Sequence, residues 1–164
     1  MSTIIGIDPG LADTGYGIIK TGKSRQIHIA HGTIRTGPDE NLAQRLLTIY
    51  REIIRLVEFY KPDKAGVETL YFAKNIKTAI PVAQARGAAL VALASLGISP
   101  EEYTPLEIKQ AVAGRGRAEK NQVQQMVKII FGLSEVPAPD HAADALAVAY
   151  VTAIRQNYPV YIEK

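Results

Sequence analysis

The chain contains no cysteine. Disulfides and thiolate metal sites are therefore excluded, and any metal must sit on oxygen or imidazole. That donor chemistry favours magnesium, manganese or calcium over structural zinc. Also missing are a basic N-terminal segment leading into an apolar stretch and any apolar run long enough to span a bilayer. A cytosolic protein with no membrane partner is expected. Repeats and low-complexity segments are absent, and no shift in composition marks a domain boundary. With 164 residues, 47% of them apolar, the chain is read as one folded domain over residues 1–164 rather than a disordered segment.

Charge of one sign is not extreme: 19 basic against 16 acidic side chains leave +3. Its distribution says more. Between Pro105 and Lys128 stand Lys109, Arg115, Arg117, Lys120 and Lys128 against Glu107 and Glu119. A positive stripe beside a carboxylate site is what cleavage of a polyanion requires. A solvated helix surface would produce the same stripe, and charge alone does not separate the two.

What is present begins with apolar strands that stop at acids. Ile4-Ile5-Gly6-Ile7 ends at Asp8-Pro9-Gly10, and Ala65-Gly66-Val67 ends at Glu68. An ionised carboxylate at a core edge is costly unless paired or bound to a cation. If the two strands are neighbours, the acids lie side by side at one sheet edge, where ligands commonly bind. Two carboxylates that close stay ionised only with a cation between them. Near the C-terminus, Asp140-His141-Ala142-Ala143-Asp144 puts His141 and Asp144 on one helix face by their i, i+3 spacing. Asp140 reads as a helix-start acid or as an alternative oxygen ligand, about 100° around the helix from His141.

The periodicities predict strands at 3–8, 15–20, 26–35, 64–68 and near 98–103. In 26–35, Ile27 and Ile29 alternate with His28 and Ala30. A helix opens after Pro38–Asn41 with the stripe Leu42, Leu46, Ile49, Ile53 and Val57, and stops before Lys61-Pro62. A second helix, 75–96, carries Pro81, which either kinks it or marks its start. Its small residues 83–90 suit close packing, on the sheet or in a dimer seam. Thr104-Pro105-Leu106-Glu107 is a capping box with proline at the first helical position. Further helices follow at 118–131 and 140–156. Three early strands and later alternating units give an α/β fold: a mixed five-stranded sheet with helices on both faces.

The ordered set Gly6-Ile7-Asp8-Pro9-Gly10, Thr14-Gly15-Tyr16-Gly17, Val67-Glu68, Ala73-Lys74-Asn75, Gln84-Ala85-Arg86-Gly87, Ile108-Lys109-Gln110, Ala118-Glu119-Lys120, Gln122-Val123 and Ala143-Asp144-Ala145-Leu146-Ala147 resembles the bacterial RuvC family of Holliday junction resolvases over nearly the whole chain. The resemblance implies an RNase H-like fold, a homodimer, and symmetric cutting of four-way DNA junctions with Mg2+ or Mn2+, two ions per site. It also implies work alongside the RuvA and RuvB branch-migration proteins and 5′-phosphate products. Asp8, Glu68 and Asp144 become expected metal ligands. His141 takes a fourth position that is often aspartate in the family; it can ligate a metal, orient the attacking water or stabilise the leaving oxygen. Lys109 and Lys120 resemble basic residues near the phosphate. Tyr71 takes the place of an aromatic that stacks on an unpaired base, and Lys74, Lys77, Arg86, Arg115 and Arg117 are candidate DNA contacts. Three other readings are weighed beside this one. One is an ATP-binding lobe like that of actin and sugar kinases, for which the chain is too short to supply the second lobe. The others are an RNase H-like nuclease acting on RNA ends and a junction-binding protein without activity.

Overall fold

In the computed structural model, which describes residues 1–70 and 76–155, the apolar strand ending at Asp8 is the middle of a mixed sheet. The strands are β1 (Thr3–Asp8), β2 (Asp13–Thr21), β3 (Gln26–Arg35), β4 (Lys64–Glu68) and β5 (Glu101–Tyr103), in the order β3-β2-β1-β4-β5. The first three form the expected antiparallel meander, while β4 and β5 run parallel to β1. The helices are α1 (Leu42–Tyr60), α2 (Ile76–Ser95), α3 (Pro105–Ala113), α4 (Lys120–Phe131) and α5 (Asp140–Arg155).

Strand alternation divides the core in two. Ile5, Ile7, Ile18 and Val67 pack on Ile49, Ile53, Ala85, Ala89 and Leu93 of α1 and α2. Ile4 and Ile19 point the other way, into Ile108, Val127, Leu146 and Val148 of α3, α4 and α5. Helices thus cover both faces, as the sequence predicts. The ends of α1, α3 and α4 have local causes. Asn41 caps α1, accepting from the N–H of Gln44, and Lys61 ends it in the left-handed conformation. The Thr104–Glu107 capping box forms as read.

Several expectations are corrected. Leu42 is 41% exposed, outside the buried stripe of α1, which is Ile49, Ile53 and Val57. The last strand is three residues long, not six. Helix α4 starts at Lys120, two residues late, because Glu119 forms its capping box with Gln122. Pro81 lies inside α2, which begins five residues earlier. Lys77–Ser95 also reaches a mean hydropathy of 1.2, enough in length and composition to cross a membrane, contrary to the sequence expectation. Lys77 and Arg86 break up the run to the eye; in the fold, α2 buries Ala85, Ala89, Ala92 and Leu93.

Edge strand β3 carries a bulge. Its register slips between Ile18 and Ile19, so Ile29 has no opposite partner in the ladder. The slip brings His28 and His31, three residues apart, onto the same face. There His28 Nε2 lies 2.7 Å from His31 Nδ1, close to Phe131. Burial lowers both imidazole pKa values, and His31 lowers that of His28 further. A base with a lowered folded pKa leaves stability intact above its unfolded value near 6.5 and loses it as pH falls below. We expect His31→Gln to flatten the fall in melting temperature between about pH 6.5 and 4.5. An unchanged acid limb would count against this role for the pair.

Candidate active site

Parallel pairing of β1 with β4 brings Ile7 opposite Val67, so the next residues, Asp8 and Glu68, are neighbours at the strand ends. Both point to the α5 side, as Gly6 and Gly66 do two residues earlier. Helix α5 reaches them because the sheet beneath it is bare. Gly17, Gly6 and Gly66 form a row across β2, β1 and β4. A Cβ on Gly6 would stand 2.2 Å from the Ala145 carbonyl oxygen, and one on Gly66 would stand 2.1 Å from Thr152 Oγ1. Matching small residues, Ala142, Ala145 and Ala149, line the buried side of the helix.

The closeness sets the geometry. His141 Nδ1 lies 2.7 Å from Asp8 Oδ2, and Asp8 is only 9% exposed. Ligand atoms of Asp8, His141 and Asp144 lie within 4.8 Å of one another. Glu68 stands beside Asp8 at the end of the neighbouring strand. The loop after Asp8 is tied down by Thr14, whose hydroxyl donates to the Gly10 carbonyl at 2.6 Å. From α4, Lys120 Nζ lies 3.2 Å from Asp144 Oδ2 and 3.2 Å from Asp140 Oδ2.

The electrostatics are those of crowded anions. Burial, followed by the charge of Asp8 and a hydrogen bond to it, pushes the Glu68 carboxyl up to about 9. Burial and then Asp8 raise Asp144, with Lys120 pulling the other way. The hydrogen bond to Asp8 raises His141, favouring imidazolium. Burial would lower the Lys120 ammonium, but Asp144 and Asp140 reverse this and raise it. Ionised together, the three carboxylates would outweigh the charge of Lys120, and the excess is relieved by protons held on Glu68 and His141. With only carboxylate oxygens and one imidazole, the donor set suits a hard divalent ion of the magnesium or manganese class.

A cleft of about 660 Å³ opens beside the cluster, lined by Asp8, Glu68, Leu70, Val82, Leu106, Lys109 and His141 among others. Lys109 and Lys120 also flank a smaller hollow that reaches Glu68 and Asp144. Gly116 lines the main cleft, with exposed Arg115 and Arg117 on either side of it in the α3–α4 loop. Six expected residues, Asp8, Glu68, His141, Asp144, Lys109 and Lys120, thus surround one site. His141, not Asp140, meets Asp8. Lys77 is exposed at the start of α2. Arg86, a candidate DNA contact, is ion-paired with Glu102 in β5. Tyr71 and Lys74 lie outside the described residues. Sequence reasoning missed the link from Asp140 to Lys120; the two are twenty residues apart and no periodicity joins them.

The family model described as crossover junction endodeoxyribonuclease RuvC matches residues 4–152. A protein of that name from Treponema denticola is 54% identical over 146 residues, covering 89% of this chain and 82% of its own. Another from Thermosipho melanesiensis is 43% identical over 155 residues, covering 94% and 99%. Among solved structures, Thermus thermophilus RuvC in complex with Holliday junction substrate superposes with a TM-score of 0.91 at 33% identity, covering 97% of each chain.

Proposed function

The chain belongs to the crossover junction endodeoxyribonuclease RuvC family, and from that premise we propose that it resolves four-way DNA junctions by paired, symmetric phosphodiester hydrolysis. The observation that carries the proposal is the convergence of Asp8, His141 and Asp144 within 4.8 Å, with Glu68 beside Asp8 at the neighbouring strand end. Asp8, Glu68, His141 and Asp144 would hold two magnesium or manganese ions. Such ions, when bound, polarise a phosphoryl oxygen and acidify a water. The chain's own groups do the rest. Asp8 fixes the imidazole orientation of His141 through their 2.7 Å contact. The ammonium groups of Lys109 and Lys120 compensate charge growing on the phosphate. Arg115 and Arg117 hold the DNA backbone without reading sequence. Tyr71 stacks on a base at the crossover, with Lys74 and Lys77 on the backbone beside it.

Symmetric nicking needs two sites, hence a homodimer. A stripe on α2 supports this: Ile80, Ala83 and Val91 are exposed, and, among the described residues and apart from the helix's own neighbouring atoms, none lies within 4 Å of a Cβ placed on Gly87. The proposal extends to a single nuclease domain over residues 1–164, working in the cytoplasm with the RuvA and RuvB proteins.

A synthetic mobile junction incubated with magnesium or manganese tests the reading. We expect symmetric nicked duplexes, and Asp8→Asn to abolish them while junction binding survives. Equal cleavage of plain duplex or an RNA hairpin would sink the junction assignment. His141→Asp separates roles: retained cleavage marks a ligand or polar orienter, and complete loss marks imidazole chemistry.

A further inference from the structure

Asp140 stands at the first position of α5, where an acid needs no special explanation. Its carboxylate nevertheless turns to another helix. It pairs with the ammonium of Lys120 on α4, 3.2 Å away. The same ammonium reaches Asp144 Oδ2, also at 3.2 Å. Lys120 is therefore shared between an inner acid, part of the metal-ligand cluster, and an outer acid that is not. The inner acid is three-quarters buried and the outer one two-thirds exposed, with side-chain exposures of 24% and 66%.

We infer that Asp140 is a positioning residue for Lys120, holding its ammonium at the mouth of the carboxylate cluster when Asp144 is given over to a cation. The inference rests on the junction-nuclease reading of the site. Without a cation, Lys120 neutralises Asp144. A divalent ion there competes for the same Oδ2, and like charges would then drive Lys120 outward. A free lysine side chain has four rotatable bonds and leaves readily. Asp140 offers it a second anion, already paired with it at 3.2 Å, so the ammonium moves little. The phosphate then meets a cation that is already placed, which preserves the advantage of a preorganised donor.

The test joins a cleavage cycle to a readout that needs no substrate. Asp140→Asn keeps the shape of the side chain while removing the charge. Turnover on a mobile junction should fall about tenfold, with KM changed little, as expected when a charge-assisted contact is lost. In a Lys120→Ala background the same substitution should change turnover less than twofold, and Asp140→Glu should restore most of the loss. An equal loss in both backgrounds would mean that Asp140 acts elsewhere and would overturn the inference. Separately, the side-chain NH3+ resonance of Lys120 in magnesium-saturated protein should stay protected from solvent exchange, and lose that protection in Asp140→Asn. If wild-type Lys120 is unprotected in magnesium, the inference fails even where junction cleavage holds. If junctions are never cut but the protection is present, the nuclease reading fails instead.

Discussion

Glu68→Gln is expected to raise the melting temperature of the metal-free protein at pH 8 and to abolish junction cleavage. The two effects share one cause. Glu68 is taken out of water beside Asp8, and its pKa is pushed up to about 9. A carboxyl whose folded pKa exceeds its unfolded value takes up a proton on folding. Its cost to stability is absent below the unfolded pKa, near 4.5, and grows as pH rises towards 9. Asp144 is raised in the same sense. His141, also raised, loses the benefit of its pair with Asp8 as pH climbs past its folded pKa. All three push one way, so the metal-free protein should melt lower at pH 8 than at pH 6. Glutamine mimics the protonated form and keeps a donor for Asp8. It should add about 3–6 °C at pH 8, from roughly 1–2 kcal/mol, and little at pH 5. Magnesium should raise the wild-type melting temperature more at pH 8 than at pH 6, and the variant hardly at all. Cleavage should fall by about 10³-fold or more with the lost ligand. A variant that melts no higher at pH 8 would show that Glu68 is not strained against Asp8. One that still cuts would remove it from the ligand set.

The second large effect is expected from a residue with no side chain. Gly15 pairs with Asp8 across β1 and β2. A Cβ there would stand 1.9 Å from the His141 carbonyl oxygen and 2.4 Å from its carbon. Both are backbone atoms, so Gly15→Ala can be accommodated only by moving the first turn of α5. That turn carries His141, and Asp144 follows it directly. We expect the melting temperature to drop by about 10 °C, from roughly 3 kcal/mol of overpacking. Cleavage well below that temperature should fall about 10²-fold, the usual cost of an ångström's misplacement at a reacting centre. Junction binding should change little, because Arg115 and Arg117 sit on a different loop. Full activity with a lowered melting temperature would separate the packing of α5 from the geometry of the site.

Much of this site is legible in the sequence. Asp8 and Glu68 each end an apolar run, and the spacing of His141 and Asp144 assigns them one helix face. Those signals are local, since strand and helix periods act over a few residues. The capping box at Thr104 and the proline-blocked end of α1 are legible for the same reason. The glycines are only half legible. Gly15 and Gly17 are visible in a motif, but their motif does not say that they make a bed for α5. Arg86 is likewise visible in a motif, and only the fold supplies its ion-pair partner Glu102.

The sequence by itself determined the kind of site: oxygen and imidazole ligands without thiolate, on strand ends and a helix start, with basic residues nearby. Composition and short-range periodicity are sufficient for that. The tertiary structure alone decided who meets whom. It set β4 beside β1 in parallel, pressed α5 onto a row of glycines, turned His141 rather than Asp140 to Asp8, and gave Lys120 two acids to hold. These contacts join residues that are 20 to 143 positions apart. Such pairings arise from the packing of whole elements, which no local pattern records.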